Sequence, residues 1–338
     1  MDLPHDLRLA LSTELAAATP KALAGRVSEL SARYRALGVE PDRPFVRSDG
    51  DAAAYAAYRM PATFAAVRAA LAALQKEAPD LRPSSLLDIG AGAGAASWAA
   101  TQVWPNVSRA TLIERDERMI VVGRNLARHA TSRAVRDAAW RRVDIVGGTW
   151  DTETSDLVVA AYVLGELSES ERDGFVTRLW AHATGAVIIV EPGTPRGFAV
   201  IRRARARLIA DGATIAAPCP HDGACPMPEG DWCHFAQRIA RTPLHRKVKA
   251  ATLSYEDEKF SYVAATRFAV QARAPRVLRH PQTRKGHVML ALCAPSGLQH
   301  RTVSRKDGPI YRRARDVEWG STLAVATDDG DDGCYAGY

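Results

Sequence analysis

LLDIGAGAGAAS, residues 86–97, decides how the rest of the chain is read. A short apolar run meets three glycines at alternate positions, and an Ala/Ser-rich segment follows. That order is a strand, a tight turn and the start of a helix. Glycine lets the backbone turn sharply and lie flat against a ligand, while the first amides of the helix stay free to donate. Working outward, the same rhythm repeats. RATLIERD (109–116), WRRVDIV (140–146), SDLVVAAYVL (155–164) and GAVIIVEPG (185–193) read as strands. AASWAATQVW (95–104), ERMIVVGRNLARHA (117–130) and SESERDGFVTRLWAHA (168–183) read as the helices between them. Such alternation predicts a doubly wound parallel sheet covered by helices on both faces, an α/β fold.

The flanks differ. Residues 1–80 carry apolar residues at helical spacing in 7–18, 23–37 and 51–78, with Pro61 expected to kink or split the last helix. After the sheet come a basic helix at 197–212, a loop rich in cysteine and proline, and a second predicted helix at 232–241. Residues 258–268, 276–280, 286–294 and 297–304 read as antiparallel strands. The predicted division is therefore an N-terminal helical region (1–80), a cofactor-binding domain (81–200), a basic helix with cysteine loop (201–250), a β extension (251–320) and an acidic disordered tail (321–338).

Charge is unevenly spread. The net charge of +7 combines a balanced first half with residues 196–315, where 23 Lys/Arg face 8 Asp/Glu. Such a block concentrates positive potential where phosphates bind. Arg202, Arg203, Arg205, Arg238, Arg241, Lys247, Arg284 and Lys285 are the candidate contacts. No apolar run approaches the roughly 20 residues that span a bilayer, which predicts no membrane partner. The acidic, amphipathic first residues lack the pattern of a secretory or transit signal, so a cytoplasmic location is expected.

Two features narrow what the glycine turn binds. Asp88 precedes the first glycine by two residues, and the next strand ends in Glu114, placed to accept hydrogen bonds from a ribose diol. This pairing resembles the class I S-adenosylmethionine-dependent methyltransferases. The resemblance implies that Asp88, Gly90, Gly92 and Gly94 line the methionine and ribose side, that Glu114 holds the ribose hydroxyls, and that Asp144 sits near the adenine. No catalytic residue is legible. Base-methylating enzymes of this kind carry an Asn/Asp-Pro-Pro-Tyr/Phe turn after the fourth strand, where this chain has AAYVLGELSES (160–170). Tyr162 and Glu166 are the polar groups there.

The loop PCPHDGACPMPEGDWCHFAQR (218–238) spaces its thiols as Cys219-x5-Cys225-x7-Cys233, and Cys293 follows on a distant strand. Cys334 stands in the acidic tail. In a reducing compartment such clustering points to a metal site, and four thiolates suit zinc or an iron–sulfur cluster. No pair of short C-x2-C knuckles is present, and wide spacing beside prolines suits the larger group. His221 and His234 could each replace a thiol around zinc.

This loop resembles the signature of the Rsm-type, methyltransferase-like assembly factors of the mitochondrial small ribosomal subunit and their bacterial relatives. AYAAYRMPATFAAV (54–67), VVAAYVLGEL (158–167), IIVEPGTPRGF (188–198), EKFSYVAATR (258–267) and GHVMLALC (286–293) agree with it. The resemblance implies a class I methyltransferase-like fold, a four-iron four-sulfur cluster on Cys219, Cys225, Cys233 and Cys293, and association with the small ribosomal subunit and its rRNA. Two functions are compatible with it: rRNA methylation, and non-catalytic RNA binding in assembly with a vestigial or cofactor-sensing pocket.

Overall fold

Leu7, Ala10 and Leu11 recur at helical spacing and form the buried face of α1 (His5–Glu14). The computed structural model describes residues 1–16, 19–35, 46–241, 253–271 and 273–323. Lys247, Cys334 and the tail from 324 onward lie outside the described residues. Helix α2 (Pro20–Arg35) packs on α3 (Asp49–Glu77), whose first turn is capped by Ser48 Oγ accepting from Asp51 N at 3.1 Å. Pro61 sits inside α3 and does not split it.

The alternating region then unfolds as expected. It runs β1 (Ser85–Ile89), α4 (Ala95–Val103), β2 (Arg109–Glu114), α5 (Glu117–Ala127), the short α6 (Arg133–Arg136), β3 (Ala139–Arg142), β4 (Ser155–Ala161), α7 (Glu169–His182) and β5 (Ala183–Pro192). Next come α8 (Pro195–Ala210), β6 (Thr214–Ala217), β7 (Phe235–Ala240) and β8 (Tyr255–Thr266). A small module closes the described chain: β9 (Arg276–Val277), β10 (Gln282–Arg284), β11 (His287–Ala294), β12 (Gly297–Ser304) and α9 (Gly308–Asp316).

The large sheet has the order β3-β2-β1-β4-β5-β8-β6, with β7 also paired to β8. Its first five strands are parallel, and β8 enters antiparallel, from Ala186 opposite Thr266 to Pro192 opposite Phe260. This is the class I methyltransferase-like α/β arrangement. One face buries Leu86, Leu112 and Ile188 against the N-terminal helices, and the other buries Leu87, Ile113 and Ile189 against α7 and α8. The small sheet is antiparallel and packs Val288, Leu290 and Val303 against Ala314 of α9.

Two expectations change. The segment 258–268, read as part of the C-terminal extension, lies in and just after β8, a strand of the main sheet that ends at Thr266. The segment 232–241, read as a helix, is a loop leading into β7. There Phe235 and Ile239 are buried while Ala236 and Arg238 are exposed, a spacing of four that helix and strand share, and pairing with β8 selects the strand.

A buried ion pair joins distant parts of the chain. Arg276 Nη2 meets Glu77 Oε1 at 2.9 Å, while its Nε donates to Pro218 O and its Nη1 to Gly320 O. Removing one partner of a buried pair strands the other charge. Glu77→Leu should therefore destabilise the protein by about 3 kcal/mol in chemical denaturation. Adding Arg276→Met should recover part of that loss, whereas an additive double variant would show the pair to be unimportant.

Candidate functional site

Strand β1 runs into three glycines with left-handed backbone: Gly90 at φ 69, Gly92 at φ 55 and Gly94 at φ 85. At Gly90 no side chain fits, because a Cβ would stand 2.3 Å from Val163 Cγ2. Gly94 caps α4. The turn faces Glu114 at the end of β2, whose Oε2 accepts from Gly92 N at 2.8 Å and whose Oε1 accepts from Arg115 N and Asp116 N at 2.9 Å each. Burial pushes the Glu114 carboxyl above the usual range against these three bonds.

In front of the turn lies a cavity of about 470 Å³. Gly90, Gly92 and Glu114 line it, as do Tyr55, Ile145 and Val146. The other three expected residues stand elsewhere. Gly94 lies behind the turn. Asp144 is exposed, its Oδ1 accepts from Val146 N at 2.9 Å, and its apolar neighbours line the cavity in its place. Asp88 is 1% exposed behind the glycines, in a void of about 20 Å³ shared with Thr63, and its Oδ2 has no partner.

The far wall holds Tyr162 and Glu166, the polar groups noted after the fourth strand, together with Arg59, which sequence spacing does not single out. Tyr162, immediately after β4, has φ 61, a left-handed conformation unusual for a bulky residue. Its hydroxyl donates to Glu258 Oε1 at 2.8 Å, and the Arg59 guanidinium lies 4.5 Å from its ring centroid. Arg59 in turn grips both oxygens of Glu258, at 2.8 and 3.1 Å. Arg59 and Glu258 are separated by 199 positions, so no local pattern could have paired them. Glu166 stands nearby at the cavity wall, 3.4 Å from Arg115.

The four candidate ligand cysteines come together. Cys219, Cys225 and Cys233 of the loop and Cys293 of β11 line one cavity of about 30 Å³, and all four are free thiols. Ser261 Oγ of β8 donates to Cys233 O at 2.8 Å. His221 Nε2 lies 3.8 Å from Cys293 Sγ, whereas His234 packs between Trp232 and Trp319. Among the described residues, no three His, Cys, Asp or Glu side chains are set to hold a metal ion. Zinc needs thiolates about 2.3 Å from one centre. Two buried arginines flank the thiols. Arg205 of α8 donates Nη2 to His221 O at 2.7 Å and leaves a buried Nε without an oxygen or nitrogen acceptor, while Arg276 reaches Pro218 O. Four thiols and the Arg205 guanidinium thus meet in one buried place.

Much of the basic block is neutralised internally. Arg203 pairs with Asp173 and Arg238 with Asp257, each through two bonds of 2.8–3.0 Å. Arg241 meets Glu256 at 3.2 Å, and Arg205 is buried. Arg202, Arg284 and Lys285 are exposed.

Comparison with known proteins follows this geometry. The family described as mitochondrial small ribosomal subunit Rsm22 matches residues 49–324. The human ribosome assembly protein METTL17, mitochondrial, is 30% identical over 300 residues, which cover 83% of this chain and 64% of that protein. The Schizosaccharomyces pombe Rsm22-cox11 tandem protein 2, mitochondrial, is 26% identical over 332 residues, covering 82% of this chain and 44% of that protein. The Saccharomyces cerevisiae ribosome assembly protein RSM22, mitochondrial, is 25% identical over 245 residues, covering 42% and 39%. The chain thus spans less than two thirds of the length of each of these relatives. Among solved structures, magnesium protoporphyrin IX methyltransferase from Synechocystis is similar at 14% identity and TM-score 0.41, covering 70% of this chain and 94% of that one. The expected cytoplasmic location is overturned by these matches, since the family and the three relatives are mitochondrial by name. It had rested on the first residues, which form α1 and bury Leu3, Leu7 and Leu11 in the main core, so they report packing rather than compartment.

The buried carboxylate behind the glycines makes stability depend on pH. Burial first, then the charge of Glu114, pushes Asp88 up to about 7. An unfolded aspartate titrates near 3.9, about three units lower. The folded value is the higher one, so the stability Asp88 contributes is complete below about pH 4 and lost as pH rises through about 7. Three units at roughly 1.4 kcal/mol each bound that loss at about 4 kcal/mol. Asp88→Asn should flatten the fall in unfolding free energy between about pH 4 and about pH 7. An unchanged fall would place the titration on another group.

Proposed function

The chain belongs to the Rsm22 family, and from that premise we propose that it is an S-adenosylmethionine-binding, iron–sulfur assembly factor of the mitochondrial small ribosomal subunit that binds the subunit's rRNA. In this reading residues 81–200 hold the cofactor, 201–250 supply three cluster ligands and 251–320 supply the fourth. The observation that carries the cofactor assignment is the glycine turn, hydrogen-bonded to Glu114, beside a cavity within the range of about 300–1,000 Å³ that small-molecule sites occupy.

Lone-pair counting refines the pocket. Oε1 of Glu114 already accepts twice from backbone amides and Oε2 once, so one acceptor position on Oε2 remains for a ribose hydroxyl. Gly90 and Gly92 let the backbone approach the methionine side, and Ile145 and Val146 give the adenine an apolar seat beside Asp144. Bound there, S-adenosylmethionine would supply an electrophilic methyl group. Binding is favoured over turnover by the residue after β4: Tyr162 is engaged through both hydroxyl and ring. The second reading, methyl transfer to small-subunit rRNA, is supported by the open cavity beside it.

Cys219, Cys225, Cys233 and Cys293 are the proposed ligands of a four-iron four-sulfur cluster. Support comes from four thiols around one cavity and from their wide spacing in the sequence. The cluster would tie the loop to β11 and act structurally.

Calorimetry should detect S-adenosylmethionine binding to the wild-type protein. Gly92→Val, forced into a left-handed backbone, should abolish it, and Glu114→Ala should weaken it by about 1–3 kcal/mol. Absent binding to the wild type would make the pocket vestigial. With labelled cofactor and precursor rRNA, the proposal expects no methyl transfer, and transfer that Gly92→Val abolishes would establish the enzyme instead.

Protein purified without oxygen should be brown and contain iron and acid-labile sulfide, and Cys225→Ser should lose the colour. One tightly held zinc in colourless protein would contradict the cluster.

A further inference from the structure

Positive charge that is not internally neutralised gathers at one end of the small module. Arg284 ends β10 and Lys285 begins the turn into β11, and Arg305 and Lys306 form the turn after β12. Arg305 N donates to Gly286 O at 3.1 Å, which holds the two turns side by side. The acid in this stretch, Asp307, is spent locally: its Oδ2 accepts from Ser304 N at 2.6 Å and Ser304 Oγ at 3.0 Å. Helix α9 adds Arg312 and Arg315. All six cations are exposed, and none meets a carboxylate among the described residues. On α8 and at β7 the arginines at 203, 238 and 241 are paired, as are Arg276 and Arg279 at the junction with the module.

We infer that this tip is the RNA-docking surface and that it grips the phosphates of a double-helical segment. The inference rests on the reading that rRNA is the partner, and it moves the interface away from α8 and β7. Guanidinium and ammonium groups suit phosphate oxygens. Single-stranded RNA is gripped by aromatic side chains that stack on its bases. A membrane surface needs exposed apolar groups beside the cations. The large exposed apolar residues are Leu9, Val121, Val146, Leu253, Phe268 and Leu298, and none lies at this tip.

The tip is also separate from both sites already described. Cys293 stands six residues along β11 from His287, about 20 Å at roughly 3.4 Å per residue. The cysteine site therefore anchors one end of the hairpin, and the other end carries the charge.

The test measures binding of a small-subunit rRNA transcript at several salt concentrations. Lys285→Glu, Arg305→Glu and Lys306→Glu together should weaken binding at least tenfold (an order-of-magnitude figure). Losing about three contacts at roughly 0.7–0.9 each should also flatten the log–log salt slope by about two to three. A control with Arg203→Gln and Arg238→Gln should bind within about twofold of wild type, since both arginines are already paired. An RNA duplex should compete better than a single strand or polyglutamate. Unaltered binding by the tip variant, or equal loss in the control, would overturn the surface alone. Better competition by polyglutamate would point to an acidic protein instead, and better competition by the single strand would overturn the duplex. Wild-type protein that ignores the transcript would overturn the rRNA reading itself.

Discussion

Strand β8 is the constraint that the two sites share. It enters the parallel sheet in reverse, between β5 and β6, and its first half also pairs with β7. Five consecutive positions along it serve different ends. Glu258 holds Tyr162 and Arg59 at the wall of the glycine pocket, while Ser261 and Tyr262 contact the cysteine loop and its cavity. A sheet strand this buried does not move one residue without moving the next. The pocket and the thiols are therefore parts of one rigid unit, and loss of either support would be felt through the same backbone.

The charges follow a consistent logic. Partly buried carboxylates of the main sheet and of α3 are matched to arginines, as in Glu258 with Arg59 and Glu77 with Arg276. Beside the cysteines Arg205 differs: its buried Nε has no oxygen or nitrogen acceptor, and its guanidinium interacts with the Cys219 thiol. A buried donor without an acceptor costs free energy unless something occupies the site. At the small module the imbalance is exposed instead, where water solvates it at little cost until a polyanion displaces the counterions.

Much of the architecture was legible because it is local. The glycine turn at Gly90–Gly94, Glu114 at the end of the next strand and the alternation that follows are readable within a few residues of one another. Cys219, Cys225, Cys233 and Cys293 stood out by composition, and the fold gathers them. What escaped the sequence depends on distant partners. Residues 232–241 fit a helix and a strand equally until β8 chooses, and Arg203 looked available for phosphate until Asp173 faced it. Asp144 fell outside the cavity because the strand before it ends at Arg142, which leaves Asp144 to hydrogen-bond within its own turn. The left-handed backbone of Tyr162 had no signal in composition, since distant partners on α3, β5 and β8 hold it.

The central claim is that this fold works as an RNA-bound factor of the small ribosomal subunit. The most direct measurement crosslinks the protein to RNA in its native cell, sequences the bound fragments and identifies the crosslinked peptides. The account predicts fragments of small-subunit rRNA attached to peptides from residues 284–315. Crosslinks confined to large-subunit rRNA or messenger RNA, or attached only to peptides from residues 81–200, would contradict it.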